Sequence, residues 1–234
     1  MLRFRLLRWI ALLGLISPVR AAPGADGWED LFDGQTLAGW APSEFEAGGD
    51  VRVLSPFRGD RGAIVIKAGL TLSGITWLRG GRLPRLNYEI ALEAMKVEGE
   101  DFFCGLTFPV NRSFCTFIVG GWDGTVVGIP SVDHGDASMN ETTRNFEFAH
   151  HRWYRIRVRV TAEKIAAWID DQQVVDLDWR GRNVHLRPGE IQKSQPLGIA
   201  TYMVTAAVRD IRLRRLGSAT AADRQDVPRS PAAR

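Results

Sequence analysis

The densest group of chemically useful side chains lies between residues 131 and 144. This segment, Ser131-Val-Asp-His-Gly-Asp-Ala-Ser-Met-Asn-Glu-Thr-Thr-Arg144, follows a predicted strand, and loops at the rim of a sheet often carry binding and catalysis. Histidine is a common general base at neutral pH, so we predict His134 in this role, with Asp133 or Asp136 orienting it. Because Asp-His-Gly-Asp is also good turn chemistry, a purely structural turn is the alternative. The same loop offers predicted substrate-binding side chains, namely Asn140, Glu141 and Arg144.

Oxygen-rich loops of this kind also bind Ca²⁺, so calcium is the one metal ion that the segment suggests. Its spacing matches no EF-hand pattern, and the ligands of a complete shell are not countable from the sequence. The metal therefore stays open.

A second source of chemistry is the run of carboxylates from Glu89 to Asp101. Ordinary glycosidases need two carboxyl groups about 5–9.5 Å apart. Glu89 and Glu93 share one face of a predicted strand but are separated by about 13 Å, from four residues at ~3.3 Å each. We therefore predict Glu93 as a catalytic carboxylate working with a neighbour, and Asp101 as a substrate-binding residue. A solvated strand face is the alternative for Glu93.

Trp122 is the predicted platform for a sugar ring. It stands in Gly120-Gly-Trp-Asp-Gly124, where the flanking glycines leave the indole open to approach, and indole faces stack on apolar C–H surfaces. Packing over a turn is the alternative.

The elements that must position these residues are strands. Trp153-Tyr-Arg-Ile-Arg-Val-Arg-Val160 alternates apolar and basic side chains, the period of a half-buried strand, so we expect one core face and one solvated face. Similar segments recur along the chain, with Gly-rich turns and without long helical patterns. The pattern predicts an all-β fold, a two-sheet antiparallel sandwich.

The two ends of the chain differ from its middle in composition. Residues 1–21 combine a basic start, an apolar run from Trp9 to Ile16 and small residues at Val19 and Ala21, which predicts a cleaved signal peptide and an exported protein, periplasmic or extracellular. That run is too short to span a bilayer, so we expect no membrane span in the mature chain. Residues 22–216 form the expected domain. Residues 217–234, rich in Ala, Ser, Pro and Arg, are expected to be a disordered tail.

Export also changes the charge argument. The net charge of +3 includes four arginines in the first 21 residues, which hold no acidic residue, so the mature chain carries 3 − 4 = −1. No basic excess remains to indicate nucleic acid, which we exclude as a partner.

The two cysteines, Cys104 and Cys115, flank a predicted hairpin. They share one sheet face if Phe108 pairs with Cys115 and lie on opposite faces if Phe108 pairs with Phe114. A disulfide and two buried thiols both remain open.

Two motifs carry a resemblance to a known family. Leu31-Phe-Asp-Gly-Gln-Thr-Leu-Ala-Gly-Trp40 and Val208-Arg-Asp-Ile-Arg-Leu-Arg-Arg-Leu216 resemble the opening and closing motifs of the 3-keto-disaccharide hydrolase family, and the hairpin of Trp153 to Asp171 is similar to one of its own. The resemblance implies a jelly roll of the concanavalin-like lectin and glucanase type, with a concave sheet that binds sugar. It also implies cleavage of 3-keto-glycosides, or hydration of the resulting enone, by proton transfer next to the keto carbon.

The chain departs from the family at two strands. Many members carry "SG-x-x-x-R" and "YE-x-Q", where this sequence has Cys104-Gly-Leu-Thr-Phe-Pro109 and Phe114-Cys-Thr-Phe-Ile-Val-Gly-Gly-Trp122. Three hypotheses therefore stand: an enzyme acting on 3-keto-glycosides, a non-catalytic lectin-like module that binds carbohydrate, and an interaction domain of the cell envelope.

Overall fold

The computed structural model describes residues 27–217. The predicted signal peptide, residues 1–21, and nearly all of the predicted tail lie outside the described residues. Within residues 27–217, no helix is long and apolar enough to cross a membrane. In this described part of the chain the regular structure is almost entirely β, with fifteen strands and only short helical turns, of which Gly80–Arg82 and Glu190–Ser194 are 3-10.

Eight strands form one antiparallel sheet. In spatial order they run β13, β12, β11, β6, β15, β4 and β3, with β1 paired to β15. Their bounds are β1 Trp28–Asp30, β3 Val51–Leu54, β4 Ala63–Ile66, β6 Tyr88–Glu98, β11 Trp153–Val160, β12 Lys164–Ile169, β13 Gln172–Asp178 and β15 Thr205–Arg215.

Seven strands form the second antiparallel sheet, in the order β10, β9, β8, β7, β14, β5 and β2. Their bounds are β2 Trp40–Pro42, β5 Leu72–Trp77, β7 Cys104–Val110, β8 Ser113–Gly120, β9 Val126–Gly128, β10 Arg144–Asn145 and β14 Gly198–Tyr202. The two sheets pack as the predicted jelly-roll sandwich, which the structure confirms.

The core lies between the sheets, because alternate residues of each strand point inward. Ile156 and Val158 of β11 pack in the same apolar cluster as Leu106 and Phe117 of the opposite sheet. The next residues along each strand, such as Thr116 and Ile118 of β8, lie on the outer face.

The opening motif closes one end of this core. The Trp40 indole N–H donates to the Leu31 carbonyl at 2.8 Å, and Trp40 packs edge-on against Trp77 at 5.1 Å between ring centroids. Gly39 has a φ of +90°, and a Cβ there would lie 2.6 Å from the Trp77 ring, so only glycine fits.

The register of the β7–β8 hairpin decides whether Cys104 and Cys115 can form a disulfide. Phe108 pairs with Cys115, whereas Cys104 pairs with Val119. The two cysteines share one face but stand four residues apart along the hairpin, about 13 Å, beyond the reach of a disulfide. Both are free and buried, and burial raises the pKa of each thiol to about 12.

The outer face of the eight-stranded sheet differs from the solvated face that the arginine alternation predicted. Glu89 is fully buried there and accepts hydrogen bonds from Arg157 at 3.0 Å and Arg159 at 2.6 Å. Arg214 pairs with its other oxygen at 2.5 Å. The Arg157 guanidinium also stacks on Trp168, 3.9 Å from the ring centroid. These arginines are therefore bound within a cross-strand network.

Candidate functional site

A pocket of about 390 Å³ opens on the outer face of the seven-stranded sheet, within the ~300–1,000 Å³ range of small-ligand sites. Thr116 and Ile118 of β8 contribute to its lining. The other lining residues from the sheet and its adjoining turns gather where β8 and β14 end and β7 and β5 begin. They are Trp122, Asp101, Phe102, Tyr202 and Leu72.

Trp122 is held in the pocket by an unusual turn. Gly120, Trp122, Asp123 and Gly124 all have positive φ, at 81°, 48°, 62° and 90°. Trp122 is an uncommon residue for that conformation, and its side chain is 37% exposed. Gly124 packs against the Glu100 carbonyl, which a Cβ would meet at 2.4 Å. The turn therefore presents the indole to the pocket at a cost in backbone strain, a feature that clusters at binding sites.

Asp101 lies beside this turn and is half-buried. Its Oδ1 accepts the Phe102 N–H at 2.7 Å, and its carboxylate also accepts the Asp123 N–H. Burial raises the pKa of Asp101, with a further contribution from the nearby negative charge of Asp123, and these two effects outweigh the two backbone hydrogen bonds. A desolvated carboxylate is a stronger base than an exposed one.

A loop of residues 183–191 crosses the outer face above the pocket. It begins next to β9, where His185 N–H donates to the Ser131 carbonyl, and ends at the turn Glu190–Ser194, which packs on β5 and β14. We call it the crossing loop. Arg187, Pro188, Glu190 and Ile191 of this loop line the pocket.

The 131–144 loop, which carries the predicted base His134 and its possible orienting partners Asp133 and Asp136, holds the crossing loop in place. Asp133 Oδ1 accepts the Asn183 N–H at 2.8 Å, and Asp133 also pairs with Arg182. Glu141 pairs with Arg182 at 2.6 Å. The Asn183 N–H and then Arg182 lower the pKa of Asp133, and Arg182 lowers that of Glu141. Both carboxylates therefore form their ion pairs with Arg182, outside the pocket.

The other predicted residues of this loop also lie outside the pocket lining. The His134 ring packs 5.6 Å from that of His185 and stands 3.5 Å from the Asn183 amide. Asp136 reaches the pocket indirectly, because it pairs with Arg187 at 3.5 Å.

Asn140 and Arg144 bond to the loop itself. The Asn140 amide donates to the Ile129 carbonyl at 2.8 Å and to Gly135 at 3.2 Å. Arg144 donates to the carbonyls of Glu141 at 3.1 Å and Thr143 at 2.7 Å. These contacts shape the loop.

Glu93 lies on the other sheet, because β6 belongs to the eight-stranded one. Its carboxylate accepts from Arg209 at 2.7 Å and faces Arg61 at 3.5 Å. The structure does not bring Glu93 together with Asp101 or Trp122, so the predicted residues fall into three separate places.

Glu190 is the second carboxyl group in the pocket lining. Its oxygens pair with Lys193 at 2.8 Å and accept the Glu46 N–H at 2.9 Å. Lys193 and then that N–H lower its pKa, so the pocket holds two carboxyl groups whose pKa values are shifted in opposite directions. Among residues 27–217, no group of three or more His, Cys, Asp or Glu side chains is arranged to hold a metal ion, and calcium binding stays a prediction.

Sequence reasoning predicted only Asp101 and Trp122 of the pocket lining and missed the other residues, among them Phe102, Tyr202, Arg187 and Glu190. Tyr202 and Phe102 are joined by a hydrogen bond from the Tyr202 N–H to the Phe102 carbonyl at 3.1 Å. The only signal in the sequence was the position of both residues at strand ends.

Comparison with known proteins gives one family match. Residues 27–214 match the model of the 3-keto-alpha-glucoside-1,2-lyase-like domain. No curated protein matches the chain.

Two similar solved structures illustrate the remaining likenesses. Domain 4 of an extracellular arabinanase from Geobacillus stearothermophilus, in complex with arabinotriose, is 11% identical with a TM-score of 0.48, covering 75% of this chain and 82% of that one. A carbohydrate-binding module from Bacillus subtilis is 9% identical with a TM-score of 0.44, covering 75% and 95%. These values are too low to transfer a residue or an activity.

Proposed function

The chain belongs to the family of 3-keto-alpha-glucoside-1,2-lyase-like domains, and from that premise we propose that it is an exported protein that cleaves 3-keto-glycosides in the pocket of the seven-stranded sheet. One observation carries the proposal. Asp101, half-buried and with a raised pKa, lies in the same pocket as the exposed indole of Trp122.

The reaction begins with proton abstraction next to the keto group. In a 3-keto-glycoside, the proton on C2 is acidified by the carbonyl at C3. Asp101 takes this proton, the C1 bond to the glycosidic oxygen breaks, and a C1–C2 double bond forms. The departing oxygen takes a proton from water, and the hydroxide that remains takes the proton from Asp101, which restores the carboxylate. Addition of water across the double bond then gives the free 3-keto sugar, so that cleavage followed by hydration equals hydrolysis.

The environment of Asp101 suits this role. General bases work best when the pKa lies near the working pH, and a modestly raised aspartate is known to serve as base in ketone enolisation. Arg187 lines the same pocket and carries the positive charge that would stabilise a developing enolate oxygen. Asp136 positions that guanidinium from outside the pocket.

A lectin-like module that only binds carbohydrate is the second candidate. The strands that depart from the family, β7 and β8, place Gly105, Thr107, Thr116 and Ile118 on the outer face, so this floor of the pocket carries no charged side chain. Glu190 is already occupied by Lys193. Binding without turnover would favour this candidate.

The deciding experiment incubates the purified chain with a 3-keto-disaccharide and with its parent disaccharide, with and without divalent metal, and measures the released monosaccharide. We expect release from the keto sugar alone, lost in Asp101→Asn and retained in the neighbouring control Asp123→Asn. Equal release by the Asp101→Asn variant would contradict the assignment. Intact binding of both sugars without any release would establish the lectin-like module.

Export belongs to the same proposal and has a separate test. Cleavage after Ala21 predicts a mature chain that begins at Ala22. Intact-mass analysis of protein recovered from the periplasm or medium of an expressing bacterium measures this directly, and full-length protein retained in the cytosol would contradict it.

A further inference from the structure

One wall of the pocket is apolar and aromatic. Phe102 and Tyr202 stack with their ring centroids 6.0 Å apart and an interplanar angle of 27°. Leu72 pairs with Tyr202 across β5 and β14 and lines the same wall. Tyr202 remains 36% exposed, so this wall faces the open pocket.

The wall lies beside the proposed sugar platform. Trp122 follows β8 and Tyr202 ends β14, with β7 between these strands. Two interstrand spacings of ~4.8 Å place β8 and β14, next to which the two aromatic groups lie, about 10 Å apart. Asp101 precedes β7, so it lies between them. A ring stacked on Trp122 therefore leaves the neighbouring group of the same ligand against Phe102 and Tyr202.

The carboxyl group on the side of this wall is already engaged. Glu190 is bound by Lys193 and by the Glu46 N–H. Ile191 of the crossing loop adds another apolar side chain to the lining. A second sugar would bury hydroxyl groups there with few partners, which costs free energy, whereas a flat apolar group would gain from stacking.

We infer that the substrate is a 3-keto-glycoside whose leaving group is an apolar aromatic aglycone, bound by Phe102, Tyr202 and Leu72. The inference rests on the proposed function, because it assigns the leaving-group side of the same pocket. The aromatic wall would thus select among glycosides by their aglycone, while Trp122 and Asp101 act on the sugar.

The test compares two substrates with the same 3-keto sugar, a 4-nitrophenyl glycoside and a disaccharide, using the full chain. We expect a lower KM for the aryl substrate. Tyr202→Ala should raise that KM about three- to tenfold, the size of one aromatic contact, and should change the KM for the disaccharide less. Tyr202→Phe, which keeps the ring and removes the hydroxyl, should keep the preference for the aryl substrate. The matched control is Met203→Ala, at the exposed next residue outside the pocket lining, and it should behave as the parent chain. Equal KM changes for both substrates in Tyr202→Ala would overturn the inference.

A binding measurement separates failure of this inference from failure of the proposed function. If neither keto substrate is cleaved, the proposed catalysis is wrong. Calorimetry with the 4-nitrophenyl and methyl glycosides of the parent sugar then measures binding at the aromatic wall without any reaction. Tighter binding of the aryl compound that Tyr202→Ala removes would support the aromatic subsite. Equal affinity for both glycosides would refute it.

Discussion

Replacing Asp101 by asparagine isolates its charge from its structural role. The asparagine side-chain oxygen still accepts the Phe102 N–H, which Oδ1 of the carboxylate meets at 2.7 Å. The backbone beside the turn that presents Trp122 therefore keeps this anchor, while the chain loses the base. We expect the free energy of unfolding at neutral pH to stay within ~1 kcal/mol of the parent value, since the Phe102 N–H keeps its partner.

The expected loss of activity is that of a general base, about 10²–10⁴-fold in kcat. In the parent chain, kcat should fall with decreasing pH as the carboxylate is protonated, and this fall should lie above the ordinary value of 3.8 because the pKa of Asp101 is raised. Asp123→Asn removes the like charge that contributes to the raised pKa, so its acid limb should move to lower pH.

Stability should respond to pH in the opposite sense to activity. A carboxyl group whose pKa is raised in the folded state favours folding when protonated. That contribution is complete below the unfolded pKa and is lost as the pH rises through the folded pKa. Steady-state kinetics and thermal unfolding across this pH range check both trends. A parent-like rate for Asp101→Asn, or an unfolded variant, would refute the reasoning.

Three further predictions concern the frame of the site. Glu89→Gln should lower the free energy of unfolding by about 3–5 kcal/mol in denaturant titrations, because it leaves three arginines around a buried site without their anion. The control Asp176→Asn, which breaks an exposed ion pair, should lower it by no more than ~1 kcal/mol. Similar losses for both variants would contradict a stabilising role for the Glu89 network. Trp122→Gly should weaken glycan binding, measured by calorimetry, about tenfold. The unfolding midpoint should stay the same or rise, because glycine adopts a positive φ without strain. A large loss of stability would show instead that the indole is a packing residue. Cys104 and Cys115 should resist a thiol reagent in the folded chain and both react in denaturant, since burial raises each pKa to about 12; a mass two hydrogens lower would instead indicate a disulfide.

The fold was predictable because long strands carry a strong period. Trp153–Val160 begins and ends where its alternation places it. Three short strands were missed, since two or three residues show no period: Trp28–Asp30, Trp40–Pro42 and Arg144–Asn145.

The candidate site was predictable only in part. Asp101 and Trp122 were both selected from the sequence, but on separate grounds. Only the pairing of Cys104 with Val119 shows that the residues before β7 and after β8 lie at the same end of these two strands. Tyr202 lies at that end too, because β14 pairs with β7, although Tyr202 is about a hundred residues from Asp101 in sequence. The path of the crossing loop depends on the ion pairs of Asp133 and Glu141 with Arg182, which the sequence alone does not reveal.

The central claim is that Asp101 removes the proton next to the keto carbon. The most direct measurement is hydrogen–deuterium exchange at C2 of a 3-keto-glycoside in D₂O, followed by NMR with the parent chain and with Asp101→Asn. The account predicts that the parent chain accelerates loss of the C2 proton signal and that Asp101→Asn leaves it at the rate measured without protein. Exchange at the parent rate in Asp101→Asn, or cleavage by the parent chain without loss of the C2 proton, would contradict it.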